Sequence, residues 1–348
     1  MRIEQLTVNS LEELMSFFRM VYGNDHALGN DADLIRWQYQ SEDSEYLNFL
    51  IARDVSRICG VIGVIPSNHF DTELQYVGGT WLTTWQVLPT SRGVIGISLF
   101  KAALAQYGAC GGPIGVVGLK PATLSIYKAL KFEVGKMARH ILLNPRLTRY
   151  TLLTGGHDCI ANLRKPSVTD FNQNWRRVTI DDVNQLSDAV SDQTPAKSRR
   201  YLVRRYLLHP RYQYLVYSKQ NPNDSVFVVL RQVSHNSQAA FRLVDVCGNP
   251  ESCDGLNGLL CNLLEKTGAQ YIDCMNLGFG TQLSRAGFSD MSCEDSVQVP
   301  HYFEPFSASN QAVWYALRKG DTQNQPMIFL GDGDQDRPRL VLPRTTVS

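Results

Sequence analysis

Thr80-Trp81-Leu82-Thr83-Thr84-Trp85-Gln86-Val87-Leu88 is built of β-branched and aromatic residues and ends at Pro89, which reads as a strand and its stop. Ser91-Arg92-Gly93-Val94-Ile95-Gly96 follows as a short loop, and Ile97 to Tyr107 as an apolar helix closed by Gly108. Ile114-Gly115-Val116-Val117-Gly118-Leu119 reads as a second strand, and a second helix ends in Tyr127-Lys128-Ala129-Leu130-Lys131-Phe132. The stretch is strand, glycine loop, helix, strand, helix. Such a loop leaves backbone N–H groups free at a helix start, where a phosphate can approach without meeting a Cβ.

Outward from this stretch the chain alternates helices and strands. Leu11 to Tyr22 has one apolar face, with Ser10 before it and Gly23 after it, and predicts a helix. Asp33 to Tyr39 predicts a second, short helix. Strands are expected at Tyr46–Ala52 and Ile58–Pro66, with the meander continuing through Glu73–Tyr76, and a hairpin over Phe132–Leu143 is expected to close the first sheet. Leu152 to Asn174 has no period and reads as a linker. The pattern then starts again. Asp181–Val190 predicts a helix, and Tyr201-Leu202-Val203-Arg204-Arg205-Tyr206 parallels Leu34-Ile35-Arg36-Trp37-Gln38-Tyr39, each leading through polar residues into an apolar strand. Strands at Val226–Gln232 and Ala240–Val246, a helix over Gly255–Thr267 and a strand at Tyr271–Met275 complete the second copy.

The central stretch resembles the GNAT acyltransferases, whose loop reads Gln/Arg-x-x-Gly-x-Gly/Ala. Gly93-Val94-Ile95-Gly96-Ile97-Ser98 is the matching register, with Gly93 in the position of Gln or Arg and Arg92 one residue early. The family's second helix ends in Asn-x-x-Ala-x-x-x-Tyr-x-x-x-Gly-Phe; Lys120, Thr123, Tyr127, Lys131 and Phe132 stand at those positions, and the tyrosine and phenylalanine are kept. In the second copy Asn276 and Gly287-Phe288 fit the same pattern, Leu283 replaces the tyrosine, and no glycine loop follows Asp245-Val246-Cys247-Gly248. The resemblance implies an α+β fold of two tandem GNAT-like domains, each a mixed, mostly antiparallel sheet flanked by helices. It divides the chain into residues 1–150, which bind acyl-coenzyme A, a linker over 151–174, and residues 175–348 without an intact coenzyme loop. Trp37-Gln38-Tyr39, Tyr201–Tyr214, Val299-Pro300-His301-Tyr302-Phe303-Glu304-Pro305 and the tail Met327–Pro338 are similar to two-domain sugar-nucleotide N-acyltransferases encoded with bacterial surface-polysaccharide (O-antigen or capsule) enzymes. The function so implied is transfer of an acetyl or short 3-hydroxyacyl group from acyl-CoA to the amine of a dTDP- or UDP-amino sugar; the alternatives are an amino-acid or aminoacyl acceptor in the same reaction, or a non-catalytic binding module whose loop, with Gly93 for Gln or Arg, no longer holds coenzyme.

Composition sets bounds on this. The 348 residues suffice for two domains, and 43% apolar with 19% charged residues is the balance of a globular protein. A net charge of +1 gives no field for nucleic acid or a membrane surface. No run spans a bilayer, Met1–Gln5 opens no signal-peptide core, and the eight cysteines contain no C-x-x-C pair. These features lead to the expectation of a cytoplasmic protein with reduced thiols and no metal. Asp332-x-Asp334-x-Asp336 has calcium-loop spacing, but Arg337 and Pro343 stand where an EF-hand needs glycine and glutamate, so a turn whose aspartates bond its own backbone and Arg337 is expected.

The candidate site follows. An oxyanion donor is expected on the backbone near Val87 or Leu88, and phosphate donors at Arg92, Gly93, Val94, Gly96 and Ser98. The resemblance places Tyr127 near the thioester sulfur as an acid; a packed aromatic ring is the alternative. Thr84 on the central strand is a further reacting candidate. No acid lies on that strand, so His69, with Asp71, Glu73 and His140 behind it, is the candidate base, or else a turn residue. Trp85 either stacks on a sugar or fills the core. Arg204 and Arg205, with Arg199 and Arg200, either bind a nucleotide diphosphate or form a solvated helix face.

Overall fold

The computed structural model describes residues 1–342 except 43, 56, 92, 109–110, 157–158, 161–162, 164–173, 185–190, 222–223, 292–295 and 321–323. In chain order the first half contains β1 (Arg2–Thr7), α1 (Leu11–Tyr22), α2 (Ala32–Tyr39), β2 (Tyr46–Asp54), β3 (Arg57–Pro66), β4 (Thr80–Val87), α3 (Val94–Tyr107), β5 (Ile114–Leu119), α4 (Leu124–Ala129), β6 (Glu133–Lys136) and β7 (Ala138–Leu143). The second half contains β8 (Trp175–Val178), α5 (Arg199–Leu202), β9 (Tyr214–Asn221), β10 (Asp224–His235), β11 (Gln238–Cys247), α6 (Leu256–Thr267), β12 (Tyr271–Leu277), α7 (Gly280–Arg285), β13 (Ser289–Asp290), β14 (Trp314–Arg318) and β15 (Ile328–Phe329).

Local chemistry explains the elements that lead to the cleft. α1 buries Leu11, Leu14, Met15, Phe17 and Phe18 on one face, and Gly23 ends it with φ 101°. α2 starts at Asp31, whose carboxylate accepts the Leu34 N–H at 3.0 Å. β2 and β3 are buried over nearly their whole length, as strands covered on both faces must be. Each large apolar side chain buried there contributes roughly 1.5–3 kcal/mol relative to an exposed one. Glu73–Tyr76 does not continue the meander. Asp71 caps the Glu73 N–H at 3.2 Å and holds Thr72–Leu74 in a single tight turn.

Two sheets with the same plan result. The first runs β1-β2-β3-β4-β5-β14-β6, and the second runs β8-β9-β10-β11-β12-β7-β13. In both, one parallel contact (β4 with β5, β11 with β12) interrupts antiparallel pairing. The sixth strand of each sheet comes from the opposite half. β14 lies between β5 and β6, while β7 lies between β12 and β13. The expected hairpin over Phe132–Leu143 therefore does not form. Only Met137 separates β6 from β7, too little chain to reverse direction. The backbone runs straight on, and its first part completes one sheet while its second part enters the other. The expected class, α+β with two similar mixed sheets flanked by helices, is the one observed.

Side chains also tie the halves together at the two repeated helices. Arg211 grips Asp31 through two N–H groups at 2.5 and 2.6 Å. The Trp37 indole N–H donates to the Arg204 carbonyl at 3.0 Å.

Candidate active site

β4 and β5 are neighbours only at Thr80–Ile114 and Trp81–Gly115; beyond them no described strand pairs with that edge of β4. The opposite edge is irregular. Val61 pairs with Gln86 and Gly63 with Thr83, so Thr84 and Trp85 together face Ile62 alone. That is a β-bulge. Thr84 carries it with φ 45°, a conformation a β-branched residue adopts only under constraint. The constraint is visible: the Tyr39 hydroxyl bonds Thr83 Oγ1 at 3.0 Å and Thr84 Oγ1 at 3.3 Å. Gly63 makes the room, since a Cβ there would stand 2.8 Å from Phe49 and 2.6 Å from Thr84 Oγ1.

The bulge also decides which backbone donors face the gap. The Leu88 N–H donates to the Cys59 carbonyl at 2.9 Å, so Leu88 is not an oxyanion donor. Antiparallel ladders alternate bonded and non-bonded pairs, which makes Val87–Gly60 a non-bonded pair. The Val87 N–H consequently points away from β3, to the side that β5 has left.

α3 begins at this gap. Gly93 is its N-cap with φ 96°, no side chain caps the first turn, and that turn contains no acid. Val94 is 78% exposed, and a Cβ on Gly93 would meet nothing within 4 Å. The leading N–H groups of a helix have no intrahelical acceptor and carry its positive dipole end. This open, acid-free start fits a phosphate. Gly96 lies inside the first turn against Trp85, and Ser98 is half-buried one residue further on than Ile97. Arg92 lies outside the described residues.

Trp85 faces α3. Its ring packs 5.2 Å from Phe100 and 6.2 Å edge-on from Tyr127, and its indole N–H is buried without a partner among the described residues. It therefore fills the first core and is not free to stack on a sugar. A regular strand would put Trp85 on the side of Thr83. The extra bulge residue reverses that parity, leaving Thr83 and Thr84 toward α2. Tyr127 is buried in the same cluster, edge-on to Phe100 at 5.3 Å and Phe132 at 5.6 Å. Desolvation raises its pKa, so its hydroxyl keeps its proton at neutral pH and can only give it.

Other candidates are committed elsewhere. His69 Nε2 donates to the Trp37 carbonyl at 2.8 Å, and burial lowers the pKa of the ring to about 4. Asp71 bonds the Ser198 hydroxyl and the Glu73 N–H. His140 belongs to the second sheet, where its Nδ1 accepts from Asn276 Nδ2 at 3.1 Å, beside a cavity of about 720 Å³ lined also by Lys136 and Arg285. Arg205 is buried, donating to the Gly331 carbonyl at 3.1 Å and the Gly333 carbonyl at 2.7 Å, and Trp37 lies against it at 5.1 Å. It holds the tail and is closed to a diphosphate. Arg204 is on the surface, 3.2 Å from Glu42.

The tail supplies what the residue patterns did not place. Asp332 and Asp336 do not turn back on Arg337: Lys197 bonds Asp332 at 3.0 Å and also Asp245, and Arg231 bonds Asp336 at 2.7 Å. Only Asp334 pairs with Arg337, at 3.0 Å. Gly333 lies beside Val117, and the Gln335 side chain occupies the place where a Cβ on Gly118 would stand. The tail thus crosses β5 where β4 and β5 part. Arg337 and Asp334 both act electrostatically on Tyr22 and Tyr39, and the Tyr22 hydroxyl bonds Gln86. One wall of the gap is α3 with Trp85 and Tyr127; the other is Tyr22, Tyr39, Thr84, Gln86 and residues 334–337.

In the second half the corresponding gap is filled. β11 and β12 pair from Phe241–Ile272 to Leu243–Cys274, then β15 pairs with Asn276 and Leu277, and the Gly331 N–H donates to the Val244 carbonyl at 3.1 Å.

A solved structure of a GCN5-related N-acetyltransferase from Anabaena variabilis ATCC 29413 superposes with a TM-score of 0.51 at 12% identity, covering 91% of this chain and 72% of that one. A conserved protein from Enterococcus faecalis V583 described as a probable N-acyltransferase gives 0.54 at 11% identity, over 91% and 72%. The fold is a GNAT fold, used twice. No family model and no curated protein matches the chain. Among the described residues of this GNAT pair, no group of three or more His, Cys, Asp or Glu could hold a metal, and no helix is long and apolar enough to cross a membrane.

Proposed function

We propose that the chain is an acyl-CoA-dependent N-acyltransferase that acylates a small amine, specifically an amino-sugar nucleotide (dTDP- or UDP-linked) of surface-polysaccharide synthesis in the cytoplasm. The observation that carries the reaction class is the open gap between β4 and β5, with the bulge at Thr84 and the acid-free start of α3 on its rim. The amino-sugar acceptor is supported by the sequence resemblance of Trp37–Tyr39, Val299–Pro305 and Met327–Pro338.

The N–H groups at Val94–Gly96 would hold the coenzyme pyrophosphate. The Val87 N–H would donate to the thioester carbonyl oxygen as charge grows there. The amine nitrogen forms the new N–C bond, the C–S bond breaks, and the amine loses one proton. Tyr127 would give its hydroxyl proton to the departing thiolate and recover one from the acceptor side or water. Thr84 and Tyr39 fix the strand that carries the Val87 donor.

Thiol release with a panel of acyl-CoA donors and amino-sugar nucleotides tests this, beside calorimetric titration of acetyl-CoA. Release dependent on an amino sugar is expected, with Tyr127→Phe lowering kcat about 100-fold and leaving coenzyme affinity unchanged. Absence of both turnover and coenzyme binding would sink the proposal and leave a binding module on a GNAT scaffold.

A further inference from the structure

We infer that the first cleft selects an amine that also bears an oxyanion, a phosphate or carboxylate, and that Arg337 binds that oxyanion. The inference rests on the acyl-transfer reading of the cleft and concerns the wall opposite α3.

Arg337 spends one guanidinium edge on Asp334, through Nε at 3.0 Å. Its Nη1 is buried with no hydrogen-bond partner among the described residues, in a side chain 13% exposed. A buried cationic N–H without an acceptor is costly to keep, and a planar fork with one free side suits a carboxylate or phosphate oxygen. Asp334 serves one edge alone: its Oδ2 takes Nε, its Oδ1 takes the Gln335 amide at 3.1 Å, and Nη1 bonds neither oxygen.

The formal charges facing this wall cancel, and most of them are already paired. From the tail come Arg337, Arg339 and Asp334; Arg339 is exposed, with Tyr302 against it at 3.5 Å. From α2 and the loop before it, Asp31 is taken by Arg211, Asp33 lies 3.6 Å from the same arginine, and His26 is neutral. Burial and then the Arg337 and Arg339 charges hold His26 down at about 4, with Asp334 pulling the other way. From α1, the end of α2 and β4 come hydroxyls and an amide: Tyr22, Tyr39, Thr84 and Gln86. The arginines expected to bind an anion, Arg204 and Arg205, are engaged elsewhere, so among the described residues of this wall Arg337 is the cation with a buried N–H left unpartnered.

The test compares matched acceptors in the thiol-release assay: glucosamine against glucosamine 6-phosphate, and glycinamide against glycine. Wild type, Arg337→Lys and Arg337→Gln are assayed, and Arg337→Lys keeps a cation beside Asp334 should the glutamine variant fold poorly. The anionic member of one pair is expected to be preferred, and the pair that responds identifies phosphate or carboxylate. Arg337→Gln should lower kcat/KM for that member about 30-fold, mostly through KM, and leave its uncharged counterpart within about two-fold, with Arg337→Lys between. Equal use of charged and uncharged amines by wild type, or an equal loss for both in the variant, would overturn the inference. Should acetyl-CoA itself fail to bind, the acyl-transfer reading falls separately. Calorimetry of UDP and of glutamate against wild type and Arg337→Gln then decides: binding weakened in the variant supports the anion site, and equal or absent binding refutes it.

Discussion

Between β4 and β5 the strands part and no described strand pairs into the gap; between β11 and β12 they part and β15 slides in, followed by Gly331. Beneath that inserted segment lies a buried ionic cluster. Lys197 joins Asp245 and Asp332, and Tyr206 donates to Asp245 at 2.6 Å. The helix starts differ in the same sense. α3 begins with Gly93 and Val94 exposed, whereas α6 begins with Leu256 buried. One scaffold used twice has kept an opening in the first copy and closed it with its own C-terminal segment in the second. Duplication of a fold therefore does not duplicate a site; the connection that follows the fold decides.

The comparison can be broken at the closed side first. Lys197→Met leaves Asp245 and Asp332 buried without their cation, and we expect a loss of about 3–5 kcal/mol in denaturant unfolding. A loss below 1 kcal/mol would mean the inserted segment needs no ionic anchor. Next comes the contact that holds α2 in the open copy. His69 is buried with its pKa lowered to about 4 from the ordinary 6.5, so the unfolded chain takes its proton first as pH falls. Its share of stability is present above pH 6.5 and is lost between about 6.5 and 4, roughly 3 kcal/mol in all. Melting temperature measured across that window should fall less steeply in His69→Gln, which can still donate to the Trp37 carbonyl. The mildest test is Val94→Asp at the open helix start. A carboxylate there favours the helix dipole, so folding stability should hold or rise by about 0.5 kcal/mol, while acetyl-CoA affinity should drop about tenfold by repulsion. Unchanged affinity would remove α3 from the coenzyme site.

Much of each unit was legible in the residues, because local periodicity carried it. α1 runs from Leu11 to Tyr22 and β5 from Ile114 to Leu119, as the pattern predicts. The parallel between Leu34–Tyr39 and Tyr201–Tyr206 also survives, as two helical segments facing each other across the seam. What was not legible depends on distant partners. Nothing in Phe132–Leu143 announces that β14 will claim the space beside β6. An arginine pair on a short helix reads the same whether solvent or the Gly331–Gly333 carbonyls await Arg205. The bulge at Thr84 is set by Tyr39 and Gly63, so strand alternation alone could not choose between the two readings of Trp85, stacked on a sugar or packed in the core. Asp334 and Arg337 were visible as a turn, but not as a turn laid across β5.

The exchange of β7 and β14 has a consequence for how the protein is made. During synthesis the first half leaves the ribosome with an empty slot between β5 and β6, and that slot cannot be filled until Trp314–Arg318 has been translated. β7 meanwhile has no sheet to join until β12 exists. Neither half can finish alone, so the nascent chain carries two unpaired sheet edges from the end of β7 until β12 is made, and one of them until β14 follows, and that interval is when it is most open to aggregation.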